Sequence, residues 1–164
     1  MESNDLAANL KLAMRRLAAT VNVISAIDGE GQRHAMTATA VTSLSAEPPS
    51  LLICVNKSAS IHDVLQAGAG FCINVLFSEH QELSNVCSGS LEGEARFAVG
   101  EWDSETGSNM PYLVDAQANL FCDNDDTKIY GSHTIFIGKI RDVKVREAIS
   151  PLIYVDGAYA ELPN

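Results

Sequence analysis

The run Val114-Asp115-Ala116-Gln117-Ala118-Asn119-Leu120-Phe121-Cys122 decides the architecture. Its residues Val114, Ala116, Ala118, Leu120 and Cys122 alternate with Asp115, Gln117 and Asn119, the period-two pattern of a strand with one buried face. The expected geometry turns the first set inward and the second set outward. Downstream, Lys128 to Arg146 reads as a long β segment whose alternation slips phase between Ile140 and Val143, which predicts a bulge. Leu152–Val155, Asp156-Gly157 and Ala158–Leu162 read as a closing hairpin, because Asp-Gly suits a tight two-residue turn.

Upstream, Val21–Ile27 is a strand ending in the turn Asp28-Gly29-Glu30-Gly31, and Arg33–Leu44 runs back as a second strand until Pro48-Pro49 stops it. Leu51–Val55 and Phe71–Leu76 are short apolar strands. Leu6, Leu10, Ala13, Met14 and Leu17 fall at helical spacing behind Asp5, which is placed to cap. A second helix follows Ser60, paired with Asp63 as an approximate capping box. A third follows Ser78, paired with Gln81. Ser88 to Met110, which holds the single tryptophan Trp102, is the least regular stretch. Strands joined by short turns, without βαβ alternation, disfavour a doubly wound parallel sheet. The expected fold is mainly β with peripheral helices: an antiparallel, closed or nearly closed barrel in one domain over 1–164, with 1–5 disordered.

Lys and Arg number 11 against 21 Asp and Glu, a net charge of −10. Such a surface repels nucleic acid and anionic lipid, yet a few backbone N–H groups can still hold one phosphate. No apolar run reaches the roughly 18 residues a membrane helix needs, and Met1 to Asp5 lacks the basic-then-apolar plan of a secretory signal. Cys54, Cys72, Cys87 and Cys122 form no CxxC pair and sit beside apolar residues, as buried free thiols of a reducing compartment do. The cytoplasm is the expected location. His34, His62 and His80 show no metal-ligand spacing and read as surface or structural groups.

Three segments could carry chemistry. Met36-Thr37-Ala38-Thr39-Ala40-Val41-Thr42-Ser43 has nearly all small side chains, so a planar ligand could reach its backbone; a tightly packed strand–helix contact would use the same composition. Asn56-Lys57-Ser58-Ala59-Ser60 offers a cation, hydroxyls and the free N–H groups of a helix start, which suit a phosphate monoester or serve as ordinary capping. His133, in Gly131-Ser132-His133 within the long β segment, could donate to a ligand or be structural. Neither a nucleophile elbow nor a GxGxxG fingerprint is present, so any nicotinamide nucleotide would bind without a Rossmann domain.

Taken together, Ala18-Ala19-Thr20-Val21-Asn22-Val23-Ile24-Ser25, the stretch Met36 to Ser45, Pro48-Pro49, Cys54 to Ser60, Phe71 to Leu76, Arg96-Phe97, Gly131 to Gly138 and Pro151 to Tyr154 resemble the flavin reductase-like family of FMN-binding split barrels. The nearest likeness is to the small reductase components of two-component flavin monooxygenases. That resemblance implies a homodimer which oxidises NADH, less readily NADPH, and releases reduced FMN or FAD to a partner monooxygenase. It implies isoalloxazine contacts from Met36, Thr37, Ala38, Thr39 and Ala40, and ribityl and phosphate contacts from Asn56, Lys57, Ser58 and Ser60. It also implies Phe97 over the site, His133 beside the nicotinamide as the catalytic-site histidine, and Tyr159 on the C-terminal hairpin. A related branch reduces corrin cobalt through flavin, and a non-catalytic flavin-binding barrel would share these motifs. Two departures stand out. Ser132 replaces the usual Asp or Thr, and Val155-Asp156-Gly157-Ala158 lacks the basic residues that many relatives carry before the matching tyrosine.

Overall fold

The computed structural model describes residues 3–163. The chain begins with α1 (Ser3–Met14), so residues 3 to 5, expected to be disordered, are helical; Met1 and Glu2 lie outside the described residues. Strands β1 (Ala19–Thr20), β2 (Asn22–Ile27), β3 (Arg33–Ala38), β4 (Val41–Ala46) and β5 (Pro49–Asn56) lead to α2 (Ser60–Gln66) and β6 (Phe71–Val75). Then come α3 (Gln81–Asn85), a wide π-type turn over Val86–Ser90, a 3₁₀ helix over Gly93–Ala98, and strands β7 (Trp102–Ser104) and β8 (Pro111–Leu113). The long strands β9 (Ala118–Tyr130) and β10 (His133–Val145) and the hairpin β11 (Ile153–Val155) and β12 (Ala158–Ala160) complete the chain.

The main sheet has seven strands in the order β3-β2-β6-β9-β10-β5-β4, antiparallel at every pairing. Its two edges, β3 and β4, are consecutive in sequence and separated only by Thr39 and Ala40. The expected single strand Arg33–Leu44 is therefore two strands, one on each margin of the sheet, and the barrel is split at that joint. Small side chains there leave no alternation to announce the break.

Two apolar clusters lie on the two faces of β2. Ile24 and Ala26 pack with Ile53, Val55, Ile61, Leu65, Phe71, Ile73 and Phe136. Val21 and Val23 pack with Ala35, Leu76, Leu83, Cys87, Phe97, Leu113 and Leu152. Successive strand side chains point to opposite faces, so one strand feeds both cores. Gly138 sits where β10 crosses β6 and β9; a Cβ there would stand 2.7 Å from Phe71 and 2.8 Å from Cys122.

The strand expected from Val114 begins only at Ala118: Val114 to Gln117 turn out of β8, with Val114 N donating to Glu101 O (2.8 Å) and Ala116 N to Leu113 O (3.3 Å), and Gln117 and Asn119 are buried rather than outward. Asn119 Nδ2 donates to Asn74 Oδ1 (2.9 Å) and Leu113 O (3.0 Å). Asn74, wholly buried, also accepts from Leu113 N (2.8 Å) and donates to Val23 O (2.8 Å) and Ser25 Oγ (2.9 Å). A saturated amide network keeps these polar groups inside. The expected irregularity near Ile140 is present as a register shift between Ile140 and Asp142. All four cysteines are free thiols, three of them buried and Cys54 half-buried.

Candidate active site

Residue 36 onward builds one wall. Thr37 Oγ1 donates to Ser84 O (2.7 Å), tying β3 to α3. Asn22 Nδ2 donates to Ala38 O at 3.3 Å. Past Ala38 the chain leaves the edge: Val41 N donates to Thr39 O (2.9 Å) and Cys54 N to Ala40 O (3.1 Å). The N–H groups of Thr39 and Ala40 have no partner among the described residues, and both residues are exposed. Two unpaired amide donors on a strand without bulky side chains fit the acceptor edge of a flat heteroaromatic ring.

The second wall follows β5. Asn56 Oδ1 accepts from both Ser58 N and Ser58 Oγ at 2.9 Å, an Asx turn that fixes the loop. Ser60 was expected to cap α2, but Ala59 occupies the N-cap without a side-chain bond, which leaves the Ser60 hydroxyl unengaged. The same holds at α3, where His80 rather than Ser78 is the N-cap; Ser78 Oγ bonds Ser150 Oγ instead.

Met36, Thr37, Ser58, Ala59, Ser60, Cys87, Ser88, Glu92, Gly93 and Arg96 line a cleft of about 590 Å³. Arg96 is a lining residue that nothing in the sequence pattern singles out. Its Nε donates to Leu91 O (2.8 Å) and its Nη1 to Ala35 O (2.6 Å), and no described carboxylate pairs with it. A fixed guanidinium with two hydroxyls makes a phosphate-type donor set in a strongly acidic protein. Glu92 is the carboxylate on the rim. Burial pushes the Cys87 thiol up to about 11, so it lines the cleft as a neutral group, not a nucleophile.

A second cleft, about 440 Å³, adjoins the first through Thr37 and Ser88 and is lined by Val21, Thr37, Ala38, Thr39, Ser84, Asn85, Ser88, Tyr154, Gly157, Ala158 and Tyr159. Tyr159 donates to Asn85 Oδ1 (2.9 Å) and accepts from Ser84 Oγ (2.7 Å). The hairpin that carries it is thereby fastened to α3. Ser84, Asn85 and Ser88 belong to the cleft although no spacing or composition marks them in the sequence. Gly89 at φ 130° within the wide turn is the one local signal that the chain bends there.

Five expected residues line neither cleft within one chain: Ala40 and Asn56, which border them, and Phe97, His133 and Lys57. Phe97 does not lie over the clefts: it is buried in the second core, 4.8 Å from Trp102 and with the Arg33 guanidinium 4.2 Å from its ring. His133 is the exposed first residue of β10, just past the turn at Gly131 (φ 56°) and Ser132 that splits the expected single β segment Lys128–Arg146 into the end of β9 and the whole of β10. It pairs across the sheet with Asn56, and its Nδ1 lies 2.8 Å from Ser132 Oγ. Lys57 is exposed beside it, its N–H donating to Ser132 O at 3.0 Å.

Residues 14–163 match the flavin reductase like domain family, and the chain belongs to it. It is 41% identical over 152 residues to the reductase component of the FADH(2)-dependent resorcinol hydroxylase of Rhizobium sp. (strain MTP-10005), covering 92% of this chain and 84% of that one. It is 36% identical over 152 residues to the FMN reductase (NADH) RutF of Pseudomonas syringae pv. syringae, covering 93% and 84%. The structure of the flavin reductase PheA2 in its native state superposes with a TM-score of 0.86 at 29% identity, covering the whole of both chains. Among the described residues no helix is long and apolar enough to cross a membrane.

Proposed function

We propose that this chain is an NADH:flavin oxidoreductase of the cytoplasm, passing hydride from NADH to FMN or FAD and supplying the reduced flavin to a partner flavin-dependent monooxygenase. One observation carries the reading. A donor pole of Ser58, Ser60 and Arg96 is joined through Thr37 to a small-residue edge whose Thr39 and Ala40 N–H groups are free. A flavin mononucleotide has that polarity, with a phosphate at one end and a flat ring of acceptors at the other.

Bound flavin supplies the redox chemistry by accepting hydride from the nicotinamide. The protein's residues bind and orient. Arg96, Ser58 and Ser60, with Lys57 and Asn56 on the adjoining loop, hold the phosphate and ribityl end. Met36 to Ala40 flank the ring, and the Thr39 and Ala40 amides stabilise negative charge on its acceptor edge. Tyr159, fixed by Ser84 and Asn85, closes the opposite side. No acid, base or nucleophile in the clefts is required, in keeping with a Cys87 thiol that stays protonated. Phe97 supports the Arg33 side of β3 from below rather than covering the ligand.

The working unit is a homodimer. α1 exposes Leu6 and Leu12, and the β9–β10 tip exposes Ile129 and Tyr130, apolar surface that one chain leaves in water. His133 stands beside Asn56 and outside both clefts, so its role next to the nicotinamide requires the second copy to bring it there. His133→Ala should then raise the KM for NADH in the dimer.

The test is anaerobic mixing of protein and NADH with excess FMN, FAD, riboflavin or a cob(II)alamin-type acceptor. Rapid bleaching of FMN or FAD is expected. Preferential turnover of the corrin would shift the assignment to a corrin reductase. Flavin binding without bleaching would leave a binding barrel. Failure to quench FMN fluorescence at micromolar concentration would remove the proposal altogether.

A further inference from the structure

The 440 Å³ cleft runs on into a third, of about 540 Å³, through Thr39, Tyr154 and Gly157. This one lies between the end of α1 and the β11–β12 turn, and Lys11, Arg15 and Asp156 are among its lining residues. We propose that Lys11 and Arg15, which the fold places on the wall of this third cleft, seat the pyrophosphate of NADH. The inference rests on the reading of the chain as an NADH:flavin reductase and adds where the second nucleotide is gripped.

The hairpin reads Val155-Asp156-Gly157-Ala158-Tyr159, without a cation. Space supplies what sequence omits. Asp156 N donates to Arg15 O (2.8 Å), Arg15 Nη2 donates to Asp156 O (2.7 Å), and Arg15 Nε donates to Asp156 Oδ1 (3.0 Å). The guanidinium lies directly over Gly157, where a Cβ would come within 2.9 Å of Nη2. A cation is thus held over Gly157, two residues before Tyr159, on the wall of the third cleft where it meets the middle one.

Local charge favours an anion. Arg15 and Arg16 share one carboxylate, Asp156, with Arg16 Nη1 at 3.9 Å from it. Lys11 has no ion-pair partner among the described residues. In a protein with twice as many acids as bases, this is a rare excess of positive charge, and it sits at the opposite end of a continuous trough from Ser58, Ser60 and Arg96. Two phosphate-bearing ligands whose rings stack over the middle cleft need one anion seat at each end. The adenine half of FAD carries the same pyrophosphate chemistry, so the acceptor must be FMN when NADH is tested.

The experiment is steady-state NADH oxidation with FMN for wild type, Lys11→Glu, Arg15→Gln and Asp156→Asn, with FMN affinity read by fluorescence quenching. Lys11→Glu and Arg15→Gln should raise the KM for NADH at least about fivefold and leave FMN affinity unchanged. The wild-type KM should climb with ionic strength more steeply than that of Lys11→Glu. Asp156→Asn should lower the KM, because it removes the competing carboxylate while asparagine keeps the positive-φ turn at φ 51°. A KM within about twofold of wild type in both cation variants overturns the proposal. So does a raised KM in Asp156→Asn, which would make the cluster only a clasp for the hairpin. Weakened FAD affinity with an unchanged NADH KM assigns the seat to the flavin's adenine half and overturns it as well. Wild-type protein that binds FMN but ignores NADH would fell the underlying functional reading instead, a result separable from all of these.

Discussion

Removing the guanidinium of Arg96 should cost flavin phosphate binding and, separately, some fold stability. Its two hydrogen bonds to Leu91 O and Ala35 O hold the 3₁₀ helix against β3. At about 0.5–1.5 kcal/mol each, their loss in Arg96→Ala amounts to about 1–3 kcal/mol of unfolding free energy. A hydrogen bond from a charged donor to phosphate contributes about 1.5–3 kcal/mol, so the Kd for FMN should rise by about 10- to 150-fold. Riboflavin has the same ring and no phosphate, so its Kd should change little in the variant. The difference between the two ligands isolates the phosphate contact from any general loosening of the cleft. Fluorescence quenching titrations of wild type and Arg96→Ala with FMN and riboflavin, alongside urea unfolding, measure both quantities. If riboflavin affinity falls as much as FMN affinity, Arg96 is only a brace between β3 and the 3₁₀ helix, and the phosphate seat lies elsewhere.

Gly138→Ala should destabilise the chain by about 1–3 kcal/mol by urea unfolding, because its methyl would meet Phe71 and Cys122 well inside contact distance. Tyr159→Phe deprives the buried Ser84 hydroxyl of its partner and should lower the calorimetric Tm by about 2–4 °C for each kcal/mol lost, while weakening FMN and NADH binding together. Glu105 is held below the usual carboxylate range by its hydrogen bonds from Arg141. Its contribution to stability is therefore present above pH 4.5, the unperturbed value, and disappears as the pH falls through its lower folded value. The stability gap between wild type and Glu105→Gln, read by urea unfolding across that range, should be widest near neutrality and close in acid.

The parts of the fold visible in the sequence were those written in local periodicity and turn chemistry. The strand from Ala118, the phase slip near Ile140, the Asp28 turn and the Asp156-Gly157 hairpin all survive in the structure, whereas the inward–outward alternation expected from Val114 does not. What failed depends on partners far along the chain. Gln117 and Asn119 look solvent-facing until Leu76 O, Asn74 and Leu113 are brought beside them. The capping pairs at Ser60 and Ser78 are correct in spacing, but their hydroxyls are not used as caps, at Ser78 because Ser150 engages it. Thr37 to Ala40 and Ser58 to Ser60 were legible as site segments because small and hydroxylic residues cluster there. Ser84, Asn85, Lys11 and Arg15 were not, because nothing in their neighbourhood distinguishes a cleft wall from a solvated helix until the hairpin folds over them. Arg96 is not marked by its sequence neighbours, because whether a guanidinium stays without a carboxylate or is neutralised, as Arg33 is by Glu94, depends on groups that only the fold brings near.

The seam between β3 and β4 makes ligand and scaffold interdependent. The two edge strands of the seven-stranded sheet, β3 and β4, are joined through residues 39 and 40, so a guest lodged there bridges sheet margins that do not pair with each other. An occupant of that kind acts as a removable stave: the vessel is tighter with it than without it, and melting should climb with the logarithm of its free concentration. Release of the reduced product to another enzyme would then be accompanied by loosening along one defined line, the joint between β3 and β4.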